Sequence, residues 1–479
     1  MTSALIYAIH GTHDWWACLG RNLAFDRVTV LTDRRGHGDR WCTDAFYESF
    51  RRRRATGDVF SVLLSVAEVD DVIARCRVLR WKRRELAVTM VLAMADALDR
   101  ELDAVAPTFV ISFPIDNYVQ DVLARLARRR GIAYFELAIS PLPDMCMLMH
   151  RGMLIVSEEV PDEVVVEANV RALADPLFTP IYVKDQPAYS RGRFLKTMGY
   201  FRLRSVFFRL YSLWRRDPLN IHYLDAQGGL GHKAGIRDLR VIRMIDGDWS
   251  ARIDAFPRER RVMFGLQLFP EASIDYWIEN HDLLHHEDLL VEIARHLSSA
   301  GFMIVVKDHP LQFGFRRTEF IERLKAFPNV VFAPYEVSGN ALLERCGVSV
   351  TSTGTLGLQA ALLGNVSVTS GAYYVTPGDF VVLDELRSIE TLSPSIRAHS
   401  KPQDLRERQV RIVERLLRGS FRGDFISFRG FDAGNPNPSV AELGRALGRR
   451  LLALGPDGED WHRRNMPVGG GRHDGSPLN

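Results

Sequence analysis

The 479-residue chain has little lysine, which supplies only seven of its 62 basic residues. The rest is arginine, a bias read as the signature of a GC-rich genome, although the two residues differ physically. Cysteine is also sparse. Cys18, Cys42, Cys76, Cys146 and Cys346 are scattered, odd in number and show no CxxC spacing. That excludes a disulfide framework and a zinc ribbon and fits a reducing compartment. The N-terminus has no basic stretch followed by a long apolar one, so no secretion signal is read. Long apolar runs are missing as well. The best, Leu86 to Ala95, is interrupted by Thr89 and has the length of a core helix, not of a membrane span. Finally, net charge is small, with 62 basic against 59 acidic residues giving +3, which argues against capture of the whole protein by nucleic acid. A cytoplasmic protein is expected.

What is present is ordinary globular material. Hydrophobic residues make up 46% and charged residues 25%, so global disorder is excluded. The length allows two large domains or about three of roughly 150 residues each. Apolar runs at 4–9, 28–32, 109–112 and 132–137 read as strands, with helical patterns at 82–105 and 118–130 between the later ones. The pattern restarts near Arg261, with strands at 262–266, 302–306, 330–332, 348–351 and 366–368 and helices between them. Strands alternating with helices predict parallel sheets with crossovers. The expected class is α/β, with an N-terminal Rossmann-like domain over 1–185 and a connector over 186–234. A C-terminal Rossmann-like domain with closing helices follows over 235–454, and a disordered tail over 455–479.

The connector is chemically odd. An acidic stretch at 158–175 precedes Ser190 to Arg216, which has no acid and eight basic residues interleaved with seven aromatics. A basic helix with aromatics on its other face suits an anionic membrane surface. The segment 190–216 is therefore expected to touch the inner membrane face or a lipid-linked acceptor, making the protein peripheral. An interdomain helix whose aromatics are simply core is the plain alternative.

Three motifs sit where strands of the second half run out. Val305-Val306-Lys307-Asp308-His309-Pro310 is the sharpest. Ligands of parallel sheets bind outside the carboxyl ends of strands, and Lys307 and His309 there suit a phosphate. Pro310 restrains the backbone and disfavours helical geometry at His309. Next, Thr351-Ser352-Thr353-Gly354-Thr355-Leu356-Gly357 follows a strand and opens a helix, the setting of an anion site built from backbone N–H groups. It is not a Walker loop. In Leu266-Gln267-Leu268-Phe269-Pro270-Glu271, Gln267 and Glu271 can bond a sugar ring or ribose. A polar turn, an N-cap and a helix-entry Glu are the respective plain readings.

LQLFPE, KDHP and TSTGTLGLQAALLG, in this order over about 260–375, resemble the capsule polysaccharide biosynthesis proteins, the group that contains capsular β-Kdo transferases. The resemblance implies a GT-B glycosyltransferase, with two Rossmann-like domains facing across a cleft and no bound metal or cofactor. The HP dipeptide is also similar to that of bacterial sialyltransferases and teichoic-acid polyol-phosphate transferases. It implies that His309 contacts the donor phosphate. Where the family pattern ends in Glu, as GTxGxE, this chain has Gln359, which keeps hydrogen bonding without charge. His309 (if protonated), Lys307 and the N–H groups of Thr353 to Thr355 would then stabilise the departing nucleotide. The donor-binding set is Gln267, Glu271, Lys307, His309, Pro310, Ser352, Thr353, Gly354, Thr355 and Gln359.

A general base should come from the other half. Asp116, after the strand ending at Ser112, is preferred, with helix capping as its plain role. His13 and Asp14 are the other candidates. The run Arg51 to Arg54 reads as a solvated face. The His281, His285, His286, Glu287 group lacks HExxH order and is set aside as a metal site. The expected activity is sugar transfer from a nucleotide-activated donor, CMP-Kdo-like favoured. The acceptor would be a growing capsule or other surface polysaccharide, or its lipid-linked form. CDP-polyol phosphate transfer and UDP-sugar 2-epimerisation are alternatives on the same fold. A non-catalytic polysaccharide export or assembly protein is the alternative of another class.

Overall fold

The computed structural model describes residues 2–9, 11–175, 177–178, 189–219, 221, 234–269, 271–399 and 404–455. The expected tail over 455–479 lies, apart from Gly455, outside them. Their strands are β1 (Ser3–Ala8), β2 (Arg27–Thr32), β3 (Arg40–Trp41), β4 (Phe109–Ser112), β5 (Ala133–Ile139), β6 (Met145–His150) and β7 (Met153–Leu154), then β8 (Arg261–Gly265), β9 (Met303–Lys307), β10 (Val330–Phe332), β11 (Val348–Val350), β12 (Val366–Thr369), β13 (Val381–Val382) and β14 (Ser420–Arg422).

In the first sheet the order is β14-β6-β5-β4-β1-β2-β3, with β7 paired to β6. Strands β3-β2-β1-β4-β5 are parallel neighbours. Every residue of β1 and β4 is buried, as near-continuous apolar runs in a sheet covered on both faces must be. The helix Arg84–Val105 supplies much of that cover. The β6–β7 hairpin turns at Arg151 and Gly152, both at positive φ (+47° and +78°), the geometry of a tight two-residue turn. Gly152 has a second reason to be glycine: a Cβ there would lie 2.5 Å from the ring of Trp277.

The second sheet is parallel throughout, in the order β10-β9-β8-β11-β12-β13. Numbered from its own first strand this is 3-2-1-4-5-6, the doubly wound order whose switch point opens a crevice between the first and fourth strands. Here those are β8 and β11.

The end of the chain returns to the first sheet. β14 pairs antiparallel with β6. The helix Pro438–Leu454 then packs on the helix His13–Gly20, with Gly444 and Gly448 against the carbonyls of Leu19 and Leu23. The expectation of a C-terminal domain over 235–454 places this stretch with the second sheet, whereas β14 and the helix Pro438–Leu454 pack on the first; a three-residue edge strand has no readable period. All five cysteines are buried and free. Arg53, in the run read as a solvated face, is instead buried against Asp96. No described helix is long and apolar enough to cross a membrane.

Candidate functional site

The loops leaving β8 and β11 meet at the switch point. Gln267 Oε1 accepts from the Thr353 N–H at 2.7 Å, and its Nε2 donates to Thr353 Oγ1 at 2.9 Å. The same Nε2 lies 3.4 Å from Glu271 Oε2. Burial raises the Glu271 carboxyl above its ordinary range. Gln267 thus ties two loops together, and the Thr353 N–H, expected to meet a phosphate, is already engaged. Thr355 and Leu356 open the helix Thr355–Leu362, and first-turn N–H groups have no intrahelical partner. They remain the anion-seeking donors of this loop.

Around Gly354 and Gly357 the packing leaves little room. A Cβ at Gly354 would lie 2.8 Å from Thr351 Oγ1, and one at Gly357 2.5 Å from Tyr374 Oη. That hydroxyl donates to the Gly354 carbonyl at 2.7 Å, fixing the turn. Ser352 is buried, 3.4 Å from His286 Nδ1. One turn on, Gln359 Nε2 donates to the carbonyl of Phe178 at 3.2 Å, so its amide is spent on a segment arriving from the first half.

At the end of β9, His309 is extended (φ −67°, ψ 132°), as the following proline requires, and Pro310 opens a short 3-10 turn. His309 Nδ1 accepts from the Leu311 N–H at 3.2 Å. That leaves the proton on Nε2 in the neutral ring. Burial is the main cause pulling the imidazole down to about 4, so at neutral pH it is an uncharged Nε2–H donor. Lys307 is turned inward. Its Nζ donates to the carbonyls of Asp308 (3.0 Å) and Tyr335 (3.3 Å), and burial lowers it to about 8. Asp308, which the motif contains but which received no role, organises the turn. It accepts from the His309 N–H (2.8 Å), Arg316 Nε (3.1 Å) and Tyr335 Oη (2.7 Å). Arg316 also donates to the Gln267 carbonyl at 2.9 Å, joining the two loops. Nothing in the local spacing singled out Arg316 or Tyr335.

On the first-half side, Asn117 caps the helix Tyr118–Arg129, not Asp116. Asp116 is ion-paired with Arg77, whose Nε lies 3.0 Å from Asp275 Oδ2. Asp275 is buried in the helix Ala272–Trp277 that follows Glu271, and Arg80 reaches it at 3.1 Å. The carboxyl-end loops of the two sheets therefore meet through Arg77, the residue sequence reasoning missed most completely. His13 and Asp14 lie elsewhere, at the end of β1. His13 Nε2 is 3.1 Å from His37 Nδ1 and 3.5 Å from Asp14 Oδ2. A cavity of about 500 Å³ opens beside them, walled by Trp15, Phe113, Phe425, Phe428 and Phe431, with Asp14 and Arg429 as its charged lining. The His281 group disperses. His281 pairs with Asp71, His286 is buried against Phe269, and Glu287 faces Arg316. Among the described residues no three metal-ligating side chains converge.

The protein is thus of the α/β class, built on two Rossmann-like sheets with a tied polar crevice at the second sheet's switch point. Within it, residues 240–379 match the family described as capsule polysaccharide biosynthesis protein, over the stretch that carries all three motifs. A comparison with curated proteins finds no match. Among solved structures, the β-Kdo 2,4 transferase KpsC of Thermosulfurimonas dismutans aligns at 12% identity, covering 71% of this chain and 87% of that one, with a TM-score of 0.30. The β-Kdo 2,7 transferase of the same organism aligns at 10%, covering 81% and 97%, with a TM-score of 0.31. UDP-GlcNAc 2-epimerase from Methanocaldococcus jannaschii aligns at 10%, covering 84% and 94%, with a TM-score of 0.23. At these scores the strand order, not the overlay, defines the architecture.

Proposed function

We propose that the chain is a glycosyltransferase that moves a sugar from a nucleotide-activated donor to a growing surface polysaccharide or its lipid-linked acceptor, with a CMP-Kdo-like donor favoured. The observation that supports this most is the crevice between β8 and β11. There a neutral His309, the first-turn N–H groups at Thr355 and Leu356, and the Gln267–Glu271 pair belong to loops tied to one another. The nucleotide phosphate would take the Nε2–H of His309 and the helix N–H groups. Charge developing on it as the glycosidic bond breaks strengthens those hydrogen bonds, which stabilises the transition state more than the ground state. Lys307, Asp308, Arg316 and Gln359 would position these loops without touching the phosphate. Asp116 remains the proposed base for the acceptor hydroxyl, provided that its pair with Arg77 opens. Phe113, in the same loop, lines the aromatic cavity, and flat aromatic walls suit the apolar faces of sugar rings.

Calorimetry against CMP, CDP, UDP and GDP tests the reading. One nucleotide should bind, and His309→Ala should abolish binding. If none binds the wild type, the reading fails. Turnover separates the alternatives. Conversion of a UDP-sugar without acceptor would mark an epimerase, polyol phosphate transfer from a CDP-polyol the phosphotransferase, and binding without turnover of any donor an export or assembly protein.

A further inference from the structure

The helix Arg191–Trp214 has only Phe194 and Ser212 buried. Phe194 packs on Phe313 (5.6 Å between ring centres) and Phe201 on Phe315 (4.5 Å), which seats one face of the helix on the segment just after the His309-Pro310 turn. The opposite face is apolar and open. Leu203 is 73% exposed, Phe207 59%, Leu210 63% and Trp214 74%, with Tyr200 and Val206 beside them. At about 3.6 residues per turn these positions form one continuous stripe directed away from the packed face. On the same wheel, Arg204 and Arg215 flank the stripe on one edge, and Arg202 and Arg209 on the other. The segment has no acidic residue to balance them. A helix already anchored on one side does not leave so long an apolar stripe in water without something to cover it.

We propose that this stripe is a membrane-docking surface that lies in the interface of an anionic bilayer. Its side chains enter the headgroup region, and the flanking arginines reach the lipid phosphates. Charge decides the occupant. Cationic edges on both sides of an apolar stripe complement an anionic lipid surface, whereas a second copy would bring like charges together along the same edges. The aromatic and leucine content of the stripe suits the acyl boundary, and arginine stems can extend along it to the headgroups. The helix is not apolar enough to cross the bilayer, so it lies on it. This docking does not depend on which nucleotide or sugar the protein handles.

The test is flotation of the full chain with vesicles of phosphatidylethanolamine and phosphatidylglycerol, against vesicles of phosphatidylcholine alone. The wild type should float with the anionic vesicles only and be released by salt. The triple variant Arg202→Gln, Arg204→Gln, Arg209→Gln should lower the partition coefficient about a hundred-fold, the product of three lipid-contacting charges. Leu203→Ser, Phe207→Ser, Leu210→Ser should abolish flotation with little change in Tm, since all three side chains are more than half exposed. Failure of the wild type to float, or flotation that survives both variants, overturns the proposal. So does a dimer in sedimentation that the serine variant splits, because a second copy would then cover the face.

Discussion

Gln267 and Thr353 bind each other twice across the switch point of the second sheet, main chain to side chain at 2.7 Å and side chain to side chain at 2.9 Å. Both residues are almost fully buried, Gln267 at 8% and Thr353 at 3% exposure. The pair fixes the separation of the β8 and β11 loops before any ligand arrives, so the crevice is preorganised and not assembled on binding.

Gln267→Ala should therefore do two things. It leaves the buried Thr353 N–H without its acceptor, at a cost of about 1–3 kcal/mol. It also frees the β11 loop, so the affinity for whichever nucleotide the wild type binds should fall further than stability alone explains. Gln267→Glu keeps an acceptor for that N–H but places a carboxylate beside Glu271, so it should retain stability better at mildly acidic pH than at neutral pH. Chemical denaturation and calorimetry on the same samples check both effects. Equal stability of Gln267→Ala and wild type would show that the tie carries no energy.

Acid sensitivity follows from two imidazoles, His286, which is buried, and His309, which is half-buried. His309 is drawn to about 4 and His286 to about 3, in both cases chiefly by burial, while an unfolded histidine titrates near 6.5. Between those limits the unfolded chain binds more protons than the folded one, so stability rises with pH through this window. Each contribution is complete above about pH 6.5 and is lost as pH falls toward 4 for His309 and toward 3 for His286. Unfolding free energy measured from pH 7 to pH 4 should fall, and His286→Gln should flatten the slope. A slope unchanged in that variant would place the acid-sensitive groups elsewhere. Bound phosphate should reverse the local effect at His309, raising its proton affinity and making nucleotide binding tighter as pH drops from 7 toward 5.5.

The second sheet was legible because each of its strands up to β12 is an apolar run closed by Gly, Pro or a hydroxyl cluster. The observed strands 303–307, 330–332 and 366–369 fall within a residue of their expected places. Its motif loops were legible for the same reason, since they sit at strand ends. What those loops do with their hydrogen bonds was not. Lys307 and the Thr353 N–H look ligand-seeking in a linear motif, and only the fold shows Asp308, Tyr335 and Gln267 consuming them. Arg77 and β14 were invisible because their partners lie far away in sequence, nearly 200 residues in the case of Arg77 and Asp275. The pairing of distant charges has no local period to read.

The return of the C-terminus to the first sheet depends on two glycines. A Cβ at Gly444 would lie 2.6 Å from the Leu19 carbonyl oxygen, and one at Gly448 would collide with that of Leu23. Alanine at position 448 gains about 1 kcal/mol of helix propensity. The obstacle is backbone, which cannot rotate aside, and overpacking of this kind costs about 1–3 kcal/mol. The clash should win, and Gly448→Ala should lower Tm and expose the helix Pro438–Leu454 to proteolysis. An increase in Tm would show that helix propensity outweighs the contact with Leu23.

The contact between the halves gives the last prediction. Asp275 is 1% exposed and faces both Arg77 and Arg80, and Arg77 also holds Asp116 on the first-half side. Removing one partner of a buried ion pair costs more than the pair contributes, about 3–5 kcal/mol, because the other charge is left desolvated. Arg80 remains to share the load, so Arg77→Ala should lose less than that, about 2 kcal/mol. Asp275→Asn with Arg77→Ala should recover part of it, because the stranded charge is then gone. Catalysis separates the two ends of the bridge. If Asp116 is the base, Asp116→Asn lowers kcat by orders of magnitude with little effect on Tm, and Arg77→Ala lowers stability while leaving the carboxylate in place. If Asp116→Asn instead matches Arg77→Ala in stability and spares kcat, Asp116 is a strut of the interface and the base lies with His13 or Asp14.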